Sequence, residues 1–215
     1  MTNEIDENFA YFLKKFGDPF SSMPIPDTVI SNYRDRLPDQ LFRYWAKTGA
    51  SGFAKGLLWM VNPKEYQPIL DRWIAGTEFE ARTGLSVIAR SAFGELFVWE
   101  RRKGRILSID PLTGAIFHHL RNDANNLDDE EENKKMQFFW AFLKREDVDY
   151  YDGVDRPLFE RACSKFGKLD KSQMYGFAHA LSLGGKPEVA NLDIVELSVY
   201  HDISRQLNVT DIVRL

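Results

Sequence analysis

Apolar side chains recur at helical spacing over Asn8 to Phe16, where Phe9, Phe12, Leu13 and Phe16 share a face and Gly17 stops the run. Pro19, Pro24 and Pro26 then break regular structure. A second helix is predicted over 37–49, with Pro38 at its start, Leu41, Phe42 and Trp45 on its apolar face, and Gly49 at its end. Leu57 to Val61 reads as a short strand, and Asn62-Pro63 restarts a helix carrying Tyr66, Leu70 and Trp73. The period then changes. Residues 85–91, 95–101, 105–110 and 115–119 are short β-branched or aromatic runs separated by glycine-containing turns, the pattern of an antiparallel meander. From Lys134 to Arg145 the period is helical again. Met136, Phe139, Trp140 and Leu143 lie on one side and Phe138 and Phe142 on another, as in a helix buried between layers. Further helices are expected over 157–166 and 170–179, and a last one along Leu192, Val195, Val199, Ile203 and Leu207.

Helices, then strands, then helices give an α+β fold: an antiparallel β-meander flanked by N-terminal helices and a C-terminal helical module. The expected division is residues 1–120, an acidic linker over 121–133, and a mainly helical part over 134–215 that packs on the sheet. With 44% hydrophobic and 13% aromatic residues, the 215-residue chain has ample material for a core. Its single cysteine, Cys163, leaves neither an internal disulfide nor a cysteine-based zinc site. The polar start at Met1-Thr2-Asn3-Glu4 and the lack of a long apolar run lead us to expect a cytoplasmic protein with no membrane partner.

The net charge of −4 argues against a dedicated nucleic-acid binder, and its distribution is uneven. Between Asp123 and Asp155 stand 11 acids and 4 bases, so this stretch is −7 while the remainder is +3. Two readings fit. Such a run is commonly a solvated linker with acids at helix starts. It is also what a landing surface for a basic partner requires, because complementary charge speeds association. On the second reading the contact residues are Asp128, Asp129, Glu130, Glu131, Glu146, Asp147, Asp149 and Asp152, with Tyr150 and Tyr151 as aromatic anchors between the acids.

Candidate chemistry is sparse. No phosphate-binding glycine loop, HExxH, GxSxG or CxxC is present, so no catalytic residue, metal ligand or cofactor is nominated. On a strand, His118 and His119 point to opposite faces and do not share a metal. His201 and Asp202 are neighbours on a helix and do not face each other. Arg101, Arg102, Lys103 and Arg105 form a basic hairpin tip, readable either as a phosphate contact beside Trp99 or as a solvated turn guarding a sheet edge.

Two stretches carry a resemblance. LPDQLFRYWAKTGASGFAKGLLWMVNPKEYQPILDRW, residues 37–73, resembles the GAD-like domain, so residues 1–120 are identified with it. SQMYGFAHALSLGGKPEVANL, residues 172–192, resembles the module often fused behind that domain. Together they are similar to immunity proteins of the bacterial type VI secretion system and, distantly, to the SUKH-like superfamily. The resemblance implies a non-catalytic cytoplasmic antidote that binds and blocks a cognate toxin domain, a DNase, without touching nucleic acid itself. A regulatory interaction module with no toxin partner is the alternative it leaves.

Overall fold

A computed structural model of the chain describes residues 5–208 and 210–215; the polar start at Met1 to Glu4 lies outside the described residues. The α+β expectation holds. The main sheet runs in the order β1 (Phe20–Met23), β2 (Ala50–Phe53), β3 (Leu58–Met60), β4 (Ser86–Ser91), β5 (Leu96–Glu100), β6 (Gly104–Asp110), β7 (Ala115–His118) and β10 (Asp211–Arg214). Every pairing is antiparallel except the last, where β10 lies parallel to β7. A separate two-stranded ribbon joins β8 (Gln173–Phe177) to β9 (Leu192–Glu196).

Helices cover both faces, and the strand alternation decides which. Leu96 and Phe97 are neighbours on β5 and point to opposite sides. Leu96 pairs with Arg90, whose Nε–H donates to the hydroxyl oxygen of Tyr66 from α4 (Pro63–Ile74) at 2.9 Å. Phe97 instead meets Phe139 of α6 (Asp129–Phe142), ring centroids 5.9 Å apart. On the α6 side lie α1 (Glu7–Phe16) and α3 (Asp39–Thr48). On the α4 side lies α8 (Leu197–Leu207), joined through the Trp73 indole N–H, which donates to His201 Nδ1 at 2.9 Å. Burial drives the His201 pKa down to about 3, so the imidazole stays neutral and its ring nitrogen is free to accept.

Local chemistry explains the helix ends. Asp6 caps α1 by accepting from the Asn8 and Phe9 amides at 3.1 Å, and Asn62 caps α4 through the Lys64 amide at 3.1 Å. At α6, Asp128 accepts from the Glu130 and Glu131 amides while Glu131 returns a bond from its side chain to the Asp128 amide, a reciprocal capping box. The core between sheet and α6 is aromatic: Phe9, Phe12, Phe53, Phe97, Trp99 and Trp140 are all fully buried.

Several elements differ from expectation. The proline-broken passage contains β1 and α2 (Asp27–Tyr33), because the prolines sit between these elements rather than inside them. Residues 170–179 form β8 rather than a helix: Met174 and Phe177 are buried in a strand register against Val195 and Leu192. The last periodic run is split into β9 and α8, and its Val199, Ile203 and Leu207 face outward instead of into the core. The stretch expected as an acidic linker, 121–133, is held at both ends. It contains α5 (Leu120–Asp123) and the first turn of α6, and Asp123 accepts from both terminal nitrogens of Arg82 at 2.7 Å and bonds His118 Nε2 at 2.9 Å.

Those contacts, the Arg82 bond foremost, bring the Asp123 pKa down to about 2. A depressed carboxyl stabilises the fold above its ordinary pKa and loses that contribution as pH falls through the folded value. Acid titration followed by circular dichroism is therefore expected to show stability lost between about pH 4 and pH 2. In Asp123→Asn that step shrinks; an unchanged acid profile would show that Asp123 does not anchor this segment.

Candidate functional site

Three adjacent strands set one row of side chains side by side. Phe97 of β5 pairs with Ser108 of β6, and Ser108 pairs with Phe117 of β7. With Trp99, Arg105 and His119 these residues floor an open cleft of about 670 Å³. Helix α6 overhangs it. Phe139 packs on Phe97 and Trp99, Lys135 reaches over the floor, and Phe138 and Phe142 form the lip, 45% and 70% exposed. Gly104 makes room for Lys135: its φ is +99°, and a Cβ there would stand 2.5 Å from the lysine Cε.

The polar groups of the cleft are arranged by burial. Arg105 lies over the rings of Phe97 and Phe139, 5.5 and 5.8 Å from their centroids. Burial lowers its pKa, against the attraction of Glu95 and Asp147. Burial also lowers Lys135. Glu95 is pushed up to about 8, first by burial and next by Asp110; Arg105 and the Ser108 hydroxyl oppose the shift. His119 falls to about 4, again through burial first and Arg105 second. Near neutral pH Glu95 is therefore mostly protonated and His119 uncharged, which leaves Arg105 and Lys135 as the cations of the cleft.

Ser108 Oγ and His119 Nε2 are 3.3 Å apart, a separation that invites comparison with a nucleophile and its base. The comparison fails on two counts. A triad needs its acid on the far ring nitrogen, whereas Glu95 bonds the serine, and among the described residues no carboxylate bonds His119 Nδ1. A base with a pKa near 4 is also far too weak for proton abstraction at neutral pH. The arrangement suits binding. Among the described residues, no group of three His, Cys, Asp or Glu side chains is placed to hold a metal ion.

The acidic contact set is not brought into one strip. Asp128 and Glu131 form the α6 capping box, Asp129 pairs with Arg101 at 2.7 Å, and Glu130 pairs with Lys134 at 2.7 Å. The others lie past the far end of this 14-residue helix, roughly 20 Å away at 1.5 Å per residue. There Glu146 is exposed and Asp147 accepts from the Lys144 amide while lining the cleft. Asp149 accepts from the Tyr150 and Phe159 amides. Asp152 is buried beneath Arg156 and Arg161, its two cations within 2.9 Å. Tyr150 packs on Phe93 and Phe177, and Tyr151 bridges to Pro157 in a β-type pairing. The acids are thus in two groups, one at each end of the helix that overhangs the cleft.

The basic hairpin is likewise divided. Arg101 donates to the Leu37 carbonyl and pairs with Asp129 and Glu132, while Arg105 points into the cleft. The paired residues Phe97, Ser108 and Phe117 sit at alternate positions of predicted strands, so their common face was readable. The overhang of Phe138 and Phe142 was not, because a helix apolar on two sides reads as wholly buried.

Residues 7–113 match the family model of the GAD-like domain, and residues 133–208 match that of the type VI secretion system immunity protein Tdi1, C-terminal. These two matches support a type VI secretion immunity protein. No curated protein matches the chain. Among solved structures it is similar to the crystal structure of Atu4351 from Agrobacterium tumefaciens: 21% identity over 96% of this chain and 92% of that one, with a TM-score of 0.85. That likeness establishes a shared fold. No helix of the described residues is long and apolar enough to cross a membrane.

Proposed function

We propose that a chain carrying these two matched regions in this order is a non-catalytic, cytoplasmic immunity protein that neutralises a cognate toxin by binding it, and that the toxin is a nuclease. The observation that carries the reading is the match of residues 133–208 to the C-terminal part of an immunity protein of this secretion system. The geometry is consistent with it: the cleft binds without a competent nucleophile, and its overhang exposes aromatic rings of the kind that anchor interfaces. We extend the reading to a distant kinship with the SUKH-like superfamily, and we propose that both matched regions act as one binding body.

A nuclease presents positive charge to the phosphate backbone, and the two acidic groups beside the cleft complement such a surface. Co-expression with the toxin gene encoded next to this one is expected to restore growth and yield a co-purifying complex. Continued toxicity with no complex would overturn the reading. Because exposed charges are screened beyond a Debye length of ~10 Å at 0.1 M salt, the association rate should fall about tenfold or more between 50 and 500 mM salt. A flat rate by surface plasmon resonance would remove the acidic groups from the recognition and leave neutralisation itself in place.

A further inference from the structure

We propose that the cleft beneath α6 receives a segment of the toxin in which a carboxylate side chain stands next to an apolar one: the carboxylate on Arg105 and Lys135, the apolar side chain against Phe138 and Phe142. The proposal rests on the immunity reading and says what part of the toxin is bound, and by which residues.

The two cations are the first ground. Arg82, Arg101, Arg156 and Arg161 each lie on a carboxylate within 3.2 Å. Among the described residues, neither Arg105 nor Lys135 has an ion pair or a side-chain hydrogen bond of its own. Both are partly desolvated, and Arg105 is fixed between two aromatic rings. Partly buried cations without a partner cost stability, and a carboxylate arriving between them removes that cost. A guanidinium held on ring faces is also preorganised, so little freedom is lost when it binds.

The lip is the second ground, and it selects a polypeptide over a small organic anion. Phe138 and Phe142 are tilted rings with centroids 5.5 Å apart. Both line the cleft yet are 45% and 70% exposed, so a small molecule seated on Arg105 leaves much of each ring in water. A chain segment crossing the cleft covers both. Aromatic side chains exposed in this way are characteristic hot spots.

Glu95 fixes the sign of the pH dependence. It faces Asp110, Arg105 and Ser108 on its own sheet, His119 beyond β7, Lys135 on α6, and Asp147 past the helix. Protonated, it donates a hydrogen bond to an incoming carboxylate; ionised, it repels one. With its pKa near 8, the protonated fraction falls about tenfold from pH 7 to pH 9.

The test is calorimetric titration of the full chain with the purified toxin domain encoded beside it. Phe142→Ala and Lys135→Glu are each expected to weaken binding tenfold or more while leaving thermal unfolding near wild type, since neither side chain is in the core. The wild-type affinity should fall about tenfold from pH 7 to pH 9, and Glu95→Gln should flatten that dependence. If the wild type binds and both variants bind as tightly, the cleft proposal is overturned and the immunity reading stands. Binding that strengthens with pH, or in Lys135→Glu, would mean a basic segment and would equally overturn it. If the wild type itself fails to bind, the immunity reading falls first and the cleft proposal with it.

Discussion

Trp140→Ala is expected to lower the unfolding free energy by about 3–5 kcal/mol, a large share of what a domain of this size holds. Trp140 is fully buried and sits where α1, α6 and the sheet converge. Its ring meets Phe9, Phe12 and Phe139 edge-on at centroid distances of 6.1, 5.1 and 5.1 Å. Removing it opens a cavity that the three surrounding phenylalanine rings are too rigid to fill. Trp140→Phe separates volume from polarity. Among the described residues the indole N–H has no hydrogen-bond partner, so phenylalanine gives up only part of the ring volume and should cost about a third as much. Urea denaturation at constant slope decides between them. A loss below about 1 kcal/mol for the alanine variant would mean that α1 and α6 are joined by something other than this aromatic cluster.

The legible parts of this fold are those where one period dominates. The meander was readable because β4 to β7 are short β-branched or aromatic runs divided by turns such as Pro111-Leu112-Thr113-Gly114. Helices α1, α3 and α4 announce themselves through Gly17, Gly49 and Asn62-Pro63, whose backbone preferences act locally. Residues 170–179 misled because Met174, Tyr175 and Phe177 are apolar without a decisive period, and burial against β9 then settled the conformation. The acidic run was legible only as a charge total. Composition showed eleven carboxylates, but not that Asp123, Asp149 and Asp152 are spent inside the fold on Arg82, backbone amides, Arg156 and Arg161. A charge count cannot distinguish an acid that meets a partner from one that meets its own chain. For the same reason the cleft escaped notice: Glu95, Arg105, Ser108, His119 and Lys135 come from four segments, and only pairing of the strands brings them together.

Glu132 shows how one internal carboxylate holds that cleft in shape. It is fully buried on the first turn of α6. One oxygen accepts from the Trp99 indole N–H and the Arg102 amide, both at 2.9 Å, and the other lies 3.2 Å from Arg101 Nε. It therefore fastens the overhanging helix to the β5–β6 hairpin that carries Arg105. Glu132→Ala leaves two N–H donors without their acceptor and takes one of two carboxylates from Arg101, and should cost about 3–5 kcal/mol. Glu132→Gln should cost only about 1–2 kcal/mol, because the amide oxygen still accepts from Trp99 and Arg102. The neutral amide also avoids the burial that raises the Glu132 pKa, although it gives up Arg101. Chemical denaturation of the two variants measures the ordering, and equal losses would show that the ion pair with Arg101, rather than the paired N–H groups, fastens the helix. Since α6 carries Lys135, Phe138 and Phe142, a loosened first turn shifts every residue of the lip, so the alanine variant should also bind the toxin less tightly than its stability loss alone dictates.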